Sequence, residues 1–145
     1  TGLGLALQDL VRRFGERTGL VVELGTDELV SRSTAARAET LFRIIEEALR
    51  NVERHAGAQQ VRIDLRSEAA PGRPTRIHVD VADDGVGFDL SRLGEAGSTP
   101  GLGLITMRER VELAGGRFAL HTHPGDGTAI EIRLPAARPL AESTP

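Results

Sequence analysis

Two neighbouring stretches of this sequence, residues 61–65 and 77–81, place an apolar residue at every second position and polar residues between them. Successive side chains of a strand point to opposite faces, so each stretch predicts a strand with one buried and one solvated face. The Pro- and Gly-containing link at residues 69–74 is typical of a hairpin loop. This pair of strands therefore favours a sheet covered on one face over a doubly wound parallel sheet.

Helical and strand patterns surround this hairpin on both sides. Helical periodicity is present in residues 3–14, 35–56 and 104–114, and strands are predicted at residues 20–24, 117–122 and 128–134. The predicted fold class is an α/β (α+β) sandwich, in which a mixed, mostly antiparallel sheet has helices packed on one face. Residues 1–135 form the predicted domain, and residues 136–145 are too poor in apolar side chains to pack, which predicts a mobile C-terminal tail.

The composition removes several classes of chemistry. All 18 basic residues are Arg and no Cys is present, which excludes Schiff-base and Walker-type lysines, thiol nucleophiles and thiolate metal sites. The net charge is -3 with scattered arginines, so we expect no nucleic-acid partner. Neither a run of roughly 20 apolar residues nor a signal peptide is present, which predicts a cytoplasmic domain without direct membrane contact. The chain begins without Met inside a helical pattern, so we expect a piece of a longer protein.

Three polar residues lie four positions apart on the long predicted helix: Glu47, Asn51 and His55. This spacing puts them on one line along the helix. A carboxylate and a carboxamide one turn apart offer oxygens that suit Mg²⁺, which takes only one or two protein ligands and keeps several waters. Glu47 could alternatively hold or orient the proton of a nucleophile. A solvated helix face without any function carries the same residue types, so this pattern alone leaves both interpretations open.

A second polar group follows the strand at residues 77–81. Asp83 has the inward parity of the apolar residues of that strand, and a carboxylate there needs hydrogen-bond donors such as the exocyclic amine of adenine. Gly85 and Gly87 would let the backbone approach a flat ring closely. The alternative is an Asx turn that satisfies Asp83 locally. Thr128 also has inward parity and could share a water or a ligand amine with Asp83, or could simply begin a strand.

A third element stands where the last predicted helix begins. Exposed amides at a helix N-terminus, flanked by glycines, form an anion site that suits a triphosphate. The pattern lacks the third glycine of a dinucleotide fingerprint. Helix capping would explain one of the two glycines without a ligand. The residues concerned are Gly101, Leu102, Gly103 and Leu104.

Four elements thus occur in order: EALRNVERHA from residue 47, DDGVG from residue 83, GLGL from residue 101 and GDGT from residue 125. Together they resemble the N box, the two glycine boxes and the terminal GT element of the Bergerat-fold (GHKL) ATPases, the superfamily of gyrase, Hsp90, MutL and sensor histidine kinases. LFRI before EALRN, and GLGLITMRERVELAGG, are most similar to the histidine kinases that pair with NarL-type response regulators. The resemblance spans about residues 3–135.

The resemblance implies a nucleotide pocket between the sheet and the helices, with ATP and Mg²⁺ as cofactors and a flexible lid at about residues 88–100. Asp83 would accept a hydrogen bond from the adenine amine, supported by Thr128 through water. Gly85 and Gly87 would shape this side of the pocket, as Gly101 and Gly103 would on the other, and the four glycines would also hinge the lid.

On the phosphate side, the resemblance implies that Asn51 binds Mg²⁺ together with Glu47, and that Glu47 polarises or orients the accepting group. Arg54 and His55 would line the phosphates. Catalysis would then consist mainly of positioning and charge neutralisation. Nucleotide contacts are also implied for the third element: Gly101, Leu102, Gly103 and Leu104.

The resemblance further implies a γ-phosphoryl transfer to a His on a separate dimerisation domain upstream, with a NarL-type response regulator as an indirect partner. None of the four histidines of this chain fills the acceptor role, since His55 belongs to the N box and the other three lie on or beside strands. The alternatives are a serine kinase of the anti-sigma-factor type, a gyrase- or MutL-like ATPase, and a non-catalytic nucleotide sensor.

Overall fold

The computed structural model describes residues 2–92 and 101–136, apart from the side chains of a few residues at the edges of this description. These residues contain four α-helices, five strands, a π-helical turn (Val52–Ala56) and a 3-10 turn (Leu90–Arg92). The helices are α1 (Gly2–Thr18), α2 (Glu28–Ser31), α3 (Ala35–Asn51) and α4 (Gly101–Leu113), and the strands are β1 (Val21–Gly25), β2 (Gln60–Glu68), β3 (Arg76–Asp83), β4 (Arg117–Thr122) and β5 (Thr128–Pro135).

The five strands form one sheet in the order β1-β2-β3-β5-β4. β1 pairs with β2 in parallel, and the other three pairings are antiparallel. β2 and β3 are the predicted hairpin, whose register sets Ile63 opposite Val81, and Val81 in turn lies opposite Ile130 of β5. The prediction of a mixed, mostly antiparallel sheet is therefore confirmed.

All the apolar strand residues that the sequence placed inward lie in one core with the helices. Val61, Ile63 and Leu65 are each at most 1% exposed, whereas the intervening Arg62 and Arg66 are exposed on the other face. The helices supply the opposite wall of the core through Leu7 of α1, Leu41 and Ile45 of α3, and Met107 and Val111 of α4, all buried. Aliphatic side chains do nearly all of this packing, and the helices cover one face of the sheet, as predicted.

The structure departs from the predicted elements at two places. The polar segment 25–34, to which the sequence pattern assigns no helix or strand, contains the short helix α2, which Asp27 caps by accepting a hydrogen bond from the Val30 N–H at 2.8 Å. A four-residue helix is too short to show periodicity in a sequence. The long helix α3 ends at Asn51 and continues as a π-helical turn, Val52–Ala56, before Gly57 ends it with a left-handed backbone (φ 59°).

Within residues 2–92 and 101–136, no helix combines the length and the apolar content that a transmembrane span requires.

Candidate functional site

Asp83 is the last residue of β3 and lies between two neighbouring strands. It stands opposite Val61 of β2 and Thr128 of β5, and its side chain is half-buried on the face of the sheet that carries the core. Its Oδ1 accepts a hydrogen bond from the Gly85 N–H at 2.8 Å. The carboxylate therefore has the predicted inward direction and also closes an Asx turn, while its role toward adenine stays a prediction.

The environment of Asp83 disfavours its ionised form. Burial raises the pKa of the Asp83 carboxyl above its ordinary value, and the neighbouring Asp84 charge acts in the same direction, although hydrogen bonds from the backbone of Gly85 and Thr128 lower it. A carboxylate accepts through four lone-pair sites, so these two backbone donors leave acceptor capacity free. Asp83 is thus a half-buried acceptor that a donor group of a ligand can satisfy.

Asp84, the next residue, has a structural role. Its side chain is exposed, and its Oδ1 accepts from the N–H groups of Gln59 and Gln60 at 2.8 and 3.0 Å, which lowers the pKa of the Asp84 carboxyl. These bonds fix the loop after β3 to the start of β2. The two adjacent aspartates therefore do different things: Asp84 holds the loop, and Asp83 faces inward.

Thr128 lies beside Asp83, but its hydroxyl is engaged with another threonine. Its Oγ1 is 3.0 Å from the Oγ1 of Thr122 on β4. Thr122 is 4% exposed, donates to the Gly127 carbonyl at 2.9 Å and accepts from the Phe88 N–H at 3.1 Å. Since the single proton of Thr122 goes to Gly127, Thr128 is the donor of the pair and retains free acceptor lone pairs.

Sequence reasoning missed Thr122. It has the same inward parity as Phe118 and Leu120 of β4, so the argument that singled out Thr128 would also have found it. Its three hydrogen bonds join the β4–β5 turn to Phe88, the first residue of the predicted lid. Phe88 packs against the core, so the predicted lid has a fixed base, and residues 93–100 lie outside the described part of the chain.

Two glycines allow the loop after β3 to pass close to the β4–β5 turn. Gly87 has φ 65°, and a β-carbon there would lie 2.0 Å from the His123 carbonyl oxygen. Gly127 has φ 71°, and a β-carbon there would lie 2.3 Å from the Asp83 carbonyl oxygen. Both the left-handed backbone and the missing space demand glycine at these positions. The predicted Gly85 is buried, and its backbone N would lie 3.4 Å from a β-carbon at Gly127.

The second group of predicted residues meets between α3 and α4. Glu47 Oε2 and Asn51 Oδ1 lie 2.7 and 2.8 Å from the point where a β-carbon of Gly103 would stand. The other carboxylate oxygen of Glu47 accepts from Arg50 at 2.7 Å. Asn51 Nδ2 is buried and has no hydrogen-bond partner among the described residues. The structure therefore brings the long-helix residues against the glycine pair of α4.

This arrangement fits a hard divalent cation. Two oxygens of different side chains lie close together beside Gly103, and Mg²⁺ needs only one or two protein ligands beside water and phosphate oxygens. Among the side chains that the structure describes, no group of three acidic or imidazole residues could hold a metal ion. Apart from side chains outside this description, further ligands would have to come from water and a phosphate-bearing ligand.

The remaining predicted residues lie at the ends of α3 and α4. α4 begins at Gly101, so its first amides have no partner within the helix. Leu104 is 2% exposed and its side chain belongs to the core, which leaves only its backbone for a ligand. Arg54 is exposed on the π-helical turn, and the side chains of His55 and Leu102 lie outside the described part of the chain.

The segments that follow the two groups meet beyond the end of α3. A β-carbon at Gly57, directly after the π-helical turn, would lie 3.7 Å from Val86 of the loop after β3. The loop that follows Asp83 therefore contacts the segment that follows Asn51. One end of the site offers an acceptor for a donor group, and the other offers cation ligands beside a helix N-terminus.

Comparison with known proteins gives the family of the chain. Residues 36–138 match the family model described as histidine kinase-, DNA gyrase B-, and HSP90-like ATPase. This range includes all four sequence elements discussed above.

Several relatives are sensor kinases. The chain is 33% identical over 134 residues to the signal transduction histidine-protein kinase/phosphatase DegS of Brevibacillus brevis, covering 92% of this chain and 32% of that protein. It is 35% identical over 141 residues to the sensor histidine kinase MctS of Rhizobium johnstonii, covering 96% of this chain and 29% of that protein. The chain therefore spans about a third of the length of these relatives.

A solved structure shares the fold. The histidine kinase domain of the blue-light activated histidine kinase from Erythrobacter litoralis superposes with a TM-score of 0.67 at 23% identity, covering 92% of this chain and 61% of that one. With the family match and the relatives, the conclusion is that this chain belongs to the histidine kinase-, DNA gyrase B- and HSP90-like ATPases, as a domain of the histidine kinase type found in sensor kinases.

Proposed function

We propose that this chain is the ATP-binding catalytic domain of a two-component sensor histidine kinase, which binds Mg-ATP and transfers the γ-phosphoryl group to a His on a separate dimerisation domain. The observation that carries the proposal is the half-buried carboxylate of Asp83, whose pKa burial raises. Such a group keeps acceptor capacity for a donor of a ligand, and carboxyls with perturbed pKa values are concentrated at functional sites. We also propose residues 1–135 as the domain; residues 137–145 of the predicted tail lie outside the described part of the chain.

The adenine side of the proposed site is built around Asp83. The exocyclic amine of adenine donates to the carboxylate oxygen that the Gly85 N–H leaves available. Thr128 retains acceptor lone pairs and holds a water beside this contact. Gly87 and Gly127 support the loop at a distance that no side chain would permit.

The phosphate side of the proposed site lies at the start of α4. The free amides of that helix N-terminus, from Gly101 onward, receive the phosphates. Glu47 and Asn51 would hold Mg²⁺, which neutralises phosphate charge when it is bound. Arg54 and His55 line the phosphates from the end of α3.

The proposed transfer is a displacement at the γ-phosphorus. The imidazole nitrogen of the acceptor forms a bond to phosphorus as the bond to the bridging oxygen of ADP breaks. Glu47 orients that imidazole or takes its proton, which puts a carboxylate near the acceptor. We further propose a response regulator of the NarL type as the next partner, and a cytoplasmic location for this domain.

A phosphorylation assay tests this function. Three samples are incubated with γ-labelled ATP and Mg²⁺. They are the isolated chain, the longer protein that contains it, and that longer protein with Asp83→Asn. The longer protein should acquire an acid-labile phosphohistidine, while the isolated chain and the Asp83→Asn protein should stay unlabelled.

Each contrary result points to another function. An acid-labile label on the isolated chain would contradict the separate acceptor. An acid-stable label on another protein would indicate a serine kinase of the anti-sigma-factor type. Saturable ATP binding without any label in the longer protein would indicate a non-catalytic nucleotide sensor.

A further inference from the structure

The π-helical turn Val52–Ala56 joins the proposed metal residue Asn51 to the phosphate-side Arg54. Of its residues, Val52 is buried, while Glu53 and Arg54 are exposed. Behind the turn is a groove of about 640 Å³, lined by the end of α1, the start of β1 and the turn itself. The turn therefore borders this groove next to α1 and β1.

One side-chain contact crosses the mouth of that groove. Arg17, in the last turn of α1, donates to Glu53 Oε2. The same guanidinium lies 5.6 Å from the centre of the Phe14 ring, where a cation is attracted to the ring face. The hydrogen bond from Arg17 lowers the pKa of the Glu53 carboxyl. The contact thus ties two segments 36 residues apart in the sequence.

From this geometry we propose that Arg17 is a positioning residue for the phosphate side of the nucleotide site, acting through Glu53 on the π-helical turn. The inference deepens the function proposed above and rests on it. Arg17 touches no proposed ligand contact itself. Its contact with Glu53 fixes the turn and, with it, the direction of the Arg54 side chain.

The π-helical geometry makes such a tether useful. A π turn contains one residue more than an α turn, and each residue rotates about 100° around a helix axis. If the turn relaxed to α geometry, the side chain of Arg54 would be rotated around the helix axis by about that angle. An exposed ion pair contributes little to global stability, so its loss should change the site more than the fold.

The test separates the two ends of the nucleotide. Arg17→Ala should weaken binding of Mg-ATP about 2- to 5-fold, the range of a single exposed ion pair. Binding of adenosine, followed through the Gly85 amide resonance, should be unchanged, because adenosine has no phosphates. The melting temperature should stay within a few degrees of the wild type. The exchanged pair Arg17→Glu with Glu53→Arg should recover Mg-ATP affinity.

Arg12→Ala is the matched control. Arg12 lies on the same helix and is similarly exposed, but among the described residues it pairs only with Asp9 and Glu16 of α1. The inference is overturned if Arg17→Ala binds Mg-ATP like the Arg12 variant, or if it weakens adenosine and Mg-ATP equally. Failure of the wild-type chain to bind Mg-ATP at all would instead overturn the proposed function.

Discussion

The contact between α4 and the Glu47–Asn51 pair makes Gly103 a sensitive position. A β-carbon there would stand 2.7 Å from Glu47 Oε2 and 2.8 Å from Asn51 Oδ1, whereas ordinary contact begins at 3.4 Å. Gly103→Ala must therefore displace the Glu47 oxygen by about 0.7 Å, the difference between 3.4 and 2.7 Å. Misplacement of a catalytic group by about 1 Å costs on the order of 100-fold in rate.

We expect Gly103→Ala to slow histidine phosphorylation in the longer protein by about 10- to 100-fold. The fold should not suffer, because the displaced atoms are ends of flexible side chains and Ala is at least as favourable as Gly in a helix. Urea unfolding of the chain should thus show equal or greater stability, while the phosphorylation rate falls.

Gly2→Ala is the control for this experiment, because it adds a methyl group in α1 with no heavy atom within 4 Å. It should leave the phosphorylation rate unchanged. A folded Gly103→Ala protein that phosphorylates within twofold of the wild-type rate would refute the placement of Gly103 against these two side chains.

Three further changes test other parts of the site. Because burial raises the pKa of Asp83, its ionisation lowers the stability of the wild type as the pH rises above the ordinary carboxyl range. Asp83→Asn should therefore be at least as stable as the wild type in urea at pH 7, and any advantage should shrink towards pH 4. The result that would contradict this is a variant that is less stable at pH 7 than at pH 4, relative to the wild type. Thr122→Val leaves the Gly127 carbonyl and the Phe88 N–H without their partner, so it should lower the free energy of unfolding by about 1–3 kcal/mol. An unchanged unfolding midpoint would disprove that Thr122 stabilises the fold through these hydrogen bonds. Gly127→Ala should destabilise the fold more than Gly125→Ala in thermal unfolding, since both have positive φ but only the β-carbon at residue 127 overlaps the backbone; equal losses would argue against that overlap.

The strands and the inward direction of Asp83 could be predicted because both follow from a period of two. Once Val79 and Val81 are assigned to the core, the parity of Asp83 is fixed without any tertiary information. The same rule applied to β4 would have identified Thr122. Local periodicity thus determines which face a side chain is on.

Other features depend on contacts between distant segments, which a pattern does not contain. Asp83 and Asp84 are identical in type and adjacent in sequence, and only the position of residues 59 and 60 decides that Asp84 holds the loop. The approach of Gly103 to Asn51 depends on how α3 packs on α4. The π-helical turn was likewise missed, because its residues continue the helical periodicity of α3.

The central claim is that Asp83 recognises the amine of adenine. It is tested most directly by calorimetric titration of the chain with Mg-ATP and with the Mg complex of inosine triphosphate, whose ring carries a carbonyl where adenine carries the amine. We predict saturable binding of Mg-ATP and at least about 10-fold weaker binding of the inosine nucleotide, because its carbonyl would face the Asp83 carboxylate with no donor between them. Equal affinity for the two nucleotides, or no binding of Mg-ATP by the folded chain, would contradict the claim.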